Sequence, residues 1–169
     1  MKAIICISGE IASGKSTLAR ALAEYLHHSA IRSFGDVVRH QALKEGKPLD
    51  RATLQAVGVS LIAAGWPSFI NSLLEDLPSR VEFLIVEGVR HREAVDEIAS
   101  RNLSQELLTV YLQVDQHLQS ARQQDRGEEF LGHTHAVESS LGEVQAVADV
   151  LIDGGLPVRE IVDAVIQLL

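Results

Sequence analysis

The sequence is short of cysteine. Cys6 is the only one in 169 residues, so no disulfide can form within the chain. It sits inside an apolar run, where a thiol reads as buried and inert. A reducing, cytoplasmic setting fits this. Long apolar runs are missing as well. None approaches the roughly 20 residues of a membrane-spanning helix, and no charged start followed by an apolar stretch marks a signal peptide. Positive charge is outweighed: Lys and Arg total 15 against 23 Asp and Glu, a net charge of −8. That balance argues against a nucleic-acid partner and leaves room for a local basic pocket. No repeat, low-complexity tract or linker is found. His133 and His135 lack a third ligand at zinc spacing, so solvated loop residues are expected there.

What is present is strongly patterned. With 46% hydrophobic residues the chain can bury a sizeable core, and its length suits one domain over 1–169. Gly9-Glu10-Ile11-Ala12-Ser13-Gly14-Lys15-Ser16 fits G-x-x-x-x-G-K-[ST]. In such a loop successive backbone N–H groups wrap a polyphosphate. The lysine reaches the terminal phosphates and the hydroxyl ligates Mg²⁺. The context agrees. Ala3–Ile7 is an apolar run that reads as a buried strand. Beyond the loop, Leu18, Ala21, Leu22, Tyr25 and Leu26 recur at helical spacing, so a phosphate would meet a helix N-terminus. The expected donor site is therefore Gly9, Ala12, Ser13, Gly14, Lys15, Ser16 and Thr17, with ATP and Mg²⁺ as its cofactors.

Strand-like and helix-like segments alternate, which predicts a doubly wound α/β fold. The sheet should be five-stranded and mainly parallel, with helices on both faces. Strands are expected near 2–8, 30–34, 81–86, 107–114 and 147–152. Helices are expected near 15–27, 36–45, 51–64, 68–77, 93–101 and 116–126, with a last one opened by Pro157. Asp50 and Asp115 are the expected N-caps of the helices that follow them. His27 and His28 should close the first helix. Trp66-Pro67 should form an interhelical turn with Trp66 packed in the core. Gln123–Ser140 is polar, poorly periodic and too long for a tight connection, as lids are.

Charged residues gather where the strands should end, the edge at which α/β sheets bind ligands. Glu87 closes the run Phe83–Val86 and could hold Mg²⁺. Asp36 and Arg39 lie three apart, on one helix face. They are either a capped helix start or a site for a phosphorylated substrate. Arg90 and Arg92 suit an anionic substrate, with His91 between them. Arg122 and Arg126 either favour a helix C-terminus or neutralise a transferred phosphoryl group.

These residues give the chain a resemblance to the P-loop nucleotide kinases, in particular to nucleoside monophosphate kinases of the adenylate kinase type. Gly35-Asp36-Val37-Val38-Arg39 matches that family's G-D-x-x-R. Glu87-Gly88-Val89-Arg90 is similar to its D-G-[hydrophobic]-P-R, with Glu for Asp and no proline. Arg122-x-x-x-Arg126 resembles the R-x-x-x-R where its lid begins. Ala148–Gly155 resembles the last strand and turn of adenylate-kinase-like and dephospho-CoA-kinase-like proteins, a turn near the adenine. The resemblance implies an acceptor-binding helical region over about 36–77 and a lid over about 123–140. It implies phosphoryl transfer from ATP to a small phosphorylated molecule, a nucleoside monophosphate. Lys15, Arg122 and Arg126 would act on the phosphates, and Arg39 and Arg90 on the acceptor, with Asp36 and Arg92 beside them. Unlike the family's lids, Gly127–Gly142 carries no arginine. One alternative is a hydroxyl acceptor, as in dephospho-CoA kinase, with Asp36 as the base. Another is a nucleotide-binding module with little catalysis.

Overall fold

A computed structural model describes residues 1–125 and 135–169, with the backbone alone for 135–139. The first half of the chain runs β1 (Ala3–Gly9), α1 (Lys15–Tyr25), β2 (Ser29–Ser33), α2 (Phe34–Lys44), α3 (Arg51–Ala63) and α4 (Trp66–Leu74). The second runs β3 (Phe83–Val89), α5 (Arg92–Ser100), β4 (Glu106–Gln113), α6 (Gln116–Asp125), α7 (His135–Val147), β5 (Val150–Asp153) and α8 (Val158–Ile166). The strands form one sheet in the order β2-β3-β1-β4-β5, and every neighbouring pair is parallel. The predicted fold class is the one observed.

β1 explains the sheet's core. All its residues are buried, which is why it reads as a continuous apolar run rather than an alternating one. Ile5 and Ile7 meet Leu18 and Leu22 of α1 and Ile161 and Val165 of α8. Ile4 and Cys6 point to the other face, against Ile70 and Leu73 of α4, Val95 and Ile98 of α5 and Val144 of α7. Each such aliphatic side chain contributes about 1.5–3 kcal/mol on burial. The predicted caps are in place. Asp50 Oδ1 accepts from the Thr53 N–H at 3.0 Å, and Asp115 Oδ1 accepts from those of His117 and Leu118 at 2.6 and 3.1 Å.

The structure corrects several local expectations. α1 stops at Tyr25, and His28 sits at φ 59° in the turn beyond it, so the histidine pair does not close that helix. Trp66 is the first residue of α4, with Pro67 in the first turn, where a missing N–H costs nothing. Its ring is packed as expected, stacked on Phe69 at 5.8 Å and edge-on to Phe34 at 6.4 Å. The polar stretch 123–140 is helical at its two ends, where α6 reaches Asp125 and α7 begins at His135, and residues 126–134, the middle of the expected lid, lie outside the described residues. Val147 therefore ends a helix, and β5 starts at Val150. The apolar stripe of α7 includes Leu141 and Val144, both buried. Gly142, Glu143 and Gln145 interrupt it in the sequence, which hid the period. Arg126 and His133 lie outside the described residues, as does the His135 side chain.

The topology places the site. β3 flanks β1 on one side and β4 on the other. The crossover through α1 covers one face and that through α5 the other. Chain reversals of this kind open a crevice beyond the C-terminal strand ends, and the 9–16 loop leaves β1 there. Among the described residues no single helix is long and apolar enough to cross a membrane.

Candidate functional site

The loop between β1 and α1 is built from unusual backbone conformations. Gly9 lies at φ 135°, Ala12 at φ 60° and Gly14 at φ 99°. A Cβ on Gly9 would stand 2.3 Å from the Leu112 carbonyl oxygen, so only glycine lets the loop leave the sheet this close to β4. Gly14 caps α1 without any side-chain hydrogen bond. The first N–H groups of α1 are thus left to an anion. The Lys15 ammonium closes over the loop, donating to the carbonyl oxygens of Gly9 at 3.0 Å and of Glu10, and to Ser13 Oγ at 3.4 Å. Ser16 and Thr17, in the first turn of α1, are exposed.

A second wall is formed by α6 and the turn after β5. Arg122 donates to the Ala12 carbonyl at 3.1 Å and to the Gly154 carbonyl at 3.0 Å. Gln119, one turn earlier, donates to the Ile11 carbonyl at 3.0 Å. The Gly154 N–H donates to Gln113 at 2.7 Å, which presses the turn onto the loop. Between them lies a cavity of about 270 Å³, lined by Ser13, Gly14, Thr17, Arg122, Gly154 and Leu156 among others. Small-molecule sites are commonly about 300–1,000 Å³, so it suits part of a ligand with the rest outside. The turn at Gly154 thus packs against the phosphate loop.

On the other side of the loop stands Glu87. It is in register with Ile7 of β1 and Ser33 of β2. One of its carboxylate oxygens, Oε2, is buried with no hydrogen-bond partner. Such an orphan is costly unless something binds it. Glu87 and Ser16 both offer hard oxygen donors, which suits Mg²⁺, an ion that takes few protein ligands and completes its shell with phosphate and water. Among the described residues no three His, Cys, Asp or Glu side chains converge on a metal position.

The predicted acceptor residues divide. Arg39 is ion-paired with Asp36 in the first turns of α2, at the mouth of the crevice. Arg92 is paired with Asp96 at 3.5 Å, one turn along its own helix. Arg90 keeps access to solvent but is crowded: desolvation, and then the positive charge of Arg51, lower its pKa. Among the described residues neither Arg51 nor Arg90 has an ion-pair partner. His91 is half-buried, its ring 5.4 Å from that of Trp66. Burial holds its pKa below the ordinary value, with Arg90 adding to the shift and Glu93 and Glu143 opposing it. Arg51 escaped sequence reasoning because its only local signal is a position after a helix cap. Gln119 had none, being one of several glutamines in a polar helix.

No family model matches this chain, and no curated protein matches it. Solved structures do. The structure of the Deinococcus radiodurans tunicamycin resistance protein aligns at TM-score 0.69 and 21% identity, covering 99% of this chain and 95% of that one. Shikimate kinase from Aquifex aeolicus aligns at TM-score 0.59 and 18% identity, with 98% and 94% covered. A gluconokinase from Sinorhizobium meliloti aligns at 0.53 and 23%, with 95% and 87% covered. The neighbours bear out the expected fold without singling out the adenylate kinase type. The five-stranded parallel sheet with helices on both faces is the fold that this chain shares with these structures.

Proposed function

We propose that this protein transfers the γ-phosphoryl group of ATP to a small anionic acceptor, in the first instance a nucleoside monophosphate. The observation that carries the proposal is the preformed loop: left-handed turns at Ala12 and Gly14, an uncapped helix start and Lys15 across its mouth. Gly9 to Thr17 would hold the donor phosphates. Ser16 and Glu87 would hold Mg²⁺, which supplies charge neutralisation between the phosphates when bound. Arg90, which feels the charge of Arg51 and, among the described residues, has no ion-pair partner, would take the acceptor's anionic group. Arg39 would contribute once released from Asp36. Arg122 braces the loop and the cavity wall, so the bridging of charge expected of it requires leaving two carbonyls. A phosphate acceptor is already a nucleophile, so positioning and charge neutralisation suffice.

The second reading, a hydroxyl acceptor, draws support from the shikimate kinase and gluconokinase among the structural neighbours. It needs a base, and Asp36 stands at the crevice mouth. A coupled ATP-consumption assay across nucleoside monophosphates, dephospho-CoA, sugars and hydroxy acids separates the two. Lys15→Ala should lower turnover on the accepted substrate by about 3 kcal/mol of barrier, on the order of 100-fold. Full turnover in that variant rejects the mechanism. Tight ATP binding with no turnover on the whole panel leaves a nucleotide-binding module.

A further inference from the structure

The buried face of α6 is polar. Gln119 and Gln123 are each only 4% exposed, four residues apart and so on one face of the helix. A helix that only had to pack would place apolar residues there, because buried amides cost free energy unless bonded. Gln123 does leave an oxygen buried without a partner. Gln119 donates to the phosphate loop, 3.0 Å from the Ile11 carbonyl.

That contact falls at the loop's least comfortable point. Ala12 is buried at φ 60°, a conformation costing a residue with a side chain about 1–2 kcal/mol. It persists only where neighbours over-determine it. The peptide group between Ile11 and Ala12 is planar and trans, so its C=O and N–H point in opposite directions. Holding the carbonyl on Gln119 therefore aims the Ala12 N–H away from α6. Arg122 holds the next carbonyl, that of Ala12, at 3.1 Å. Two successive carbonyls of the loop are thus fixed by one helix face, from more than 100 residues further along the chain.

We propose that Gln119 is a positioning residue for the phosphate loop: through its hydrogen bond to Ile11 it sets the loop's curl, and with it the affinity for the nucleotide's phosphate tail, without touching the nucleotide. This deepens the proposed function and rests on its nucleotide-binding half.

The test uses the full chain with Gln119→Met, which keeps volume but donates nothing, and Gln119→Asn, whose shorter amide does not reach. Both are neutral, so neither changes the field at the phosphates. ATP and ADP dissociation constants are measured by calorimetry, melting temperature by scanning calorimetry and loop opening by amide hydrogen exchange. In both variants ATP and ADP should weaken about tenfold, as for loss of one part-buried hydrogen bond. Exchange should quicken at residues 10–14 but not in β1 or β4. Wild-type affinity in either variant, or exchange that quickens equally across the sheet, overturns the proposal. If the wild-type chain itself binds no ATP, the proposed function fails instead, and the exchange comparison still decides whether Gln119 holds the loop.

Discussion

Replacing Gly154 by alanine inserts one methyl group where the turn after β5 meets the phosphate loop. The added Cβ would lie 2.4 Å from the Ser13 carbonyl oxygen and 3.0 Å from that of Gln113. Ordinary contact requires a separation larger by about 1 Å for the first of these. Both obstacles are backbone, so no side chain can rotate away. The backbone of Gly154 lies outside the left-handed region, so no conformational penalty is mixed into the result. The turn is also tethered, by its N–H on Gln113 at 2.7 Å and its carbonyl under Arg122 at 3.0 Å. Overpacking of this kind costs about 1–3 kcal/mol. If the loop yields, the strain appears as weaker ATP binding, about fivefold for 1 kcal/mol and about 150-fold for 3 kcal/mol. If the fold yields, each kcal/mol lowers the melting temperature by about 2–4 °C in a domain of this size. Calorimetric titration with ATP and a melting curve together recover the total. Wild-type values in both would refute the packing of this turn against the loop.

Three further outcomes are expected. Glu87→Gln should oppose stability and activity: exchanging a carboxylate whose Oε2 is buried without a partner for a neutral amide should leave the nucleotide-free melting temperature equal or higher by about 2–4 °C. Mg²⁺-dependent turnover should fall by about 100-fold, whereas a lower melting temperature with unchanged turnover would count against the Mg²⁺ role. For His91, burial chiefly holds the folded pKa below the ordinary 6.5, so the unfolded chain binds the proton more readily. Its contribution to stability is complete above that unfolded value and is lost as pH falls through 6.5 toward the folded pKa. Melting curves of His91→Asn should accordingly depend less on pH in this acidic range, and an unchanged pH slope would contradict the reasoning. Burial, with the charge of Asp149 second, pushes the Cys6 thiol up to about 12. Iodoacetamide should therefore modify it only in denaturant, and rapid labelling of the folded chain would show that β1 is not sealed.

How much of this was legible beforehand depends on the range of the signal. The phosphate loop is a run of adjacent residues whose glycines and lysine must stand at fixed spacing, so the sequence alone determined it. The same holds for the apolar runs of β1, β3 and β4, which are continuous because both faces of a parallel sheet are covered. It holds too for the Asp50 and Asp115 caps, which act within three residues. Helix α7 was hidden because Gly142, Glu143 and Gln145 dilute a stripe that only the sheet face makes sense of.

What tertiary structure alone decided is how the charged and polar side chains are used. Glu87 was expected at a strand end, but its orphaned oxygen depends on what β1 and β2 bring alongside. Arg92 turned to Asp96 and Arg39 to Asp36, while Arg51, at the start of α3, came near enough to act on Arg90. Gln119 and Arg122 ended on the carbonyls of Ile11 and Ala12. The two ion pairs are local, each one turn apart on a single helix, but the contacts of Gln119 and Arg122 join residues more than 100 positions apart, so no local period encodes them. Apolar burial is non-directional and can be read from a pattern, whereas a hydrogen bond or an ion pair depends on where the folded backbone carries each partner.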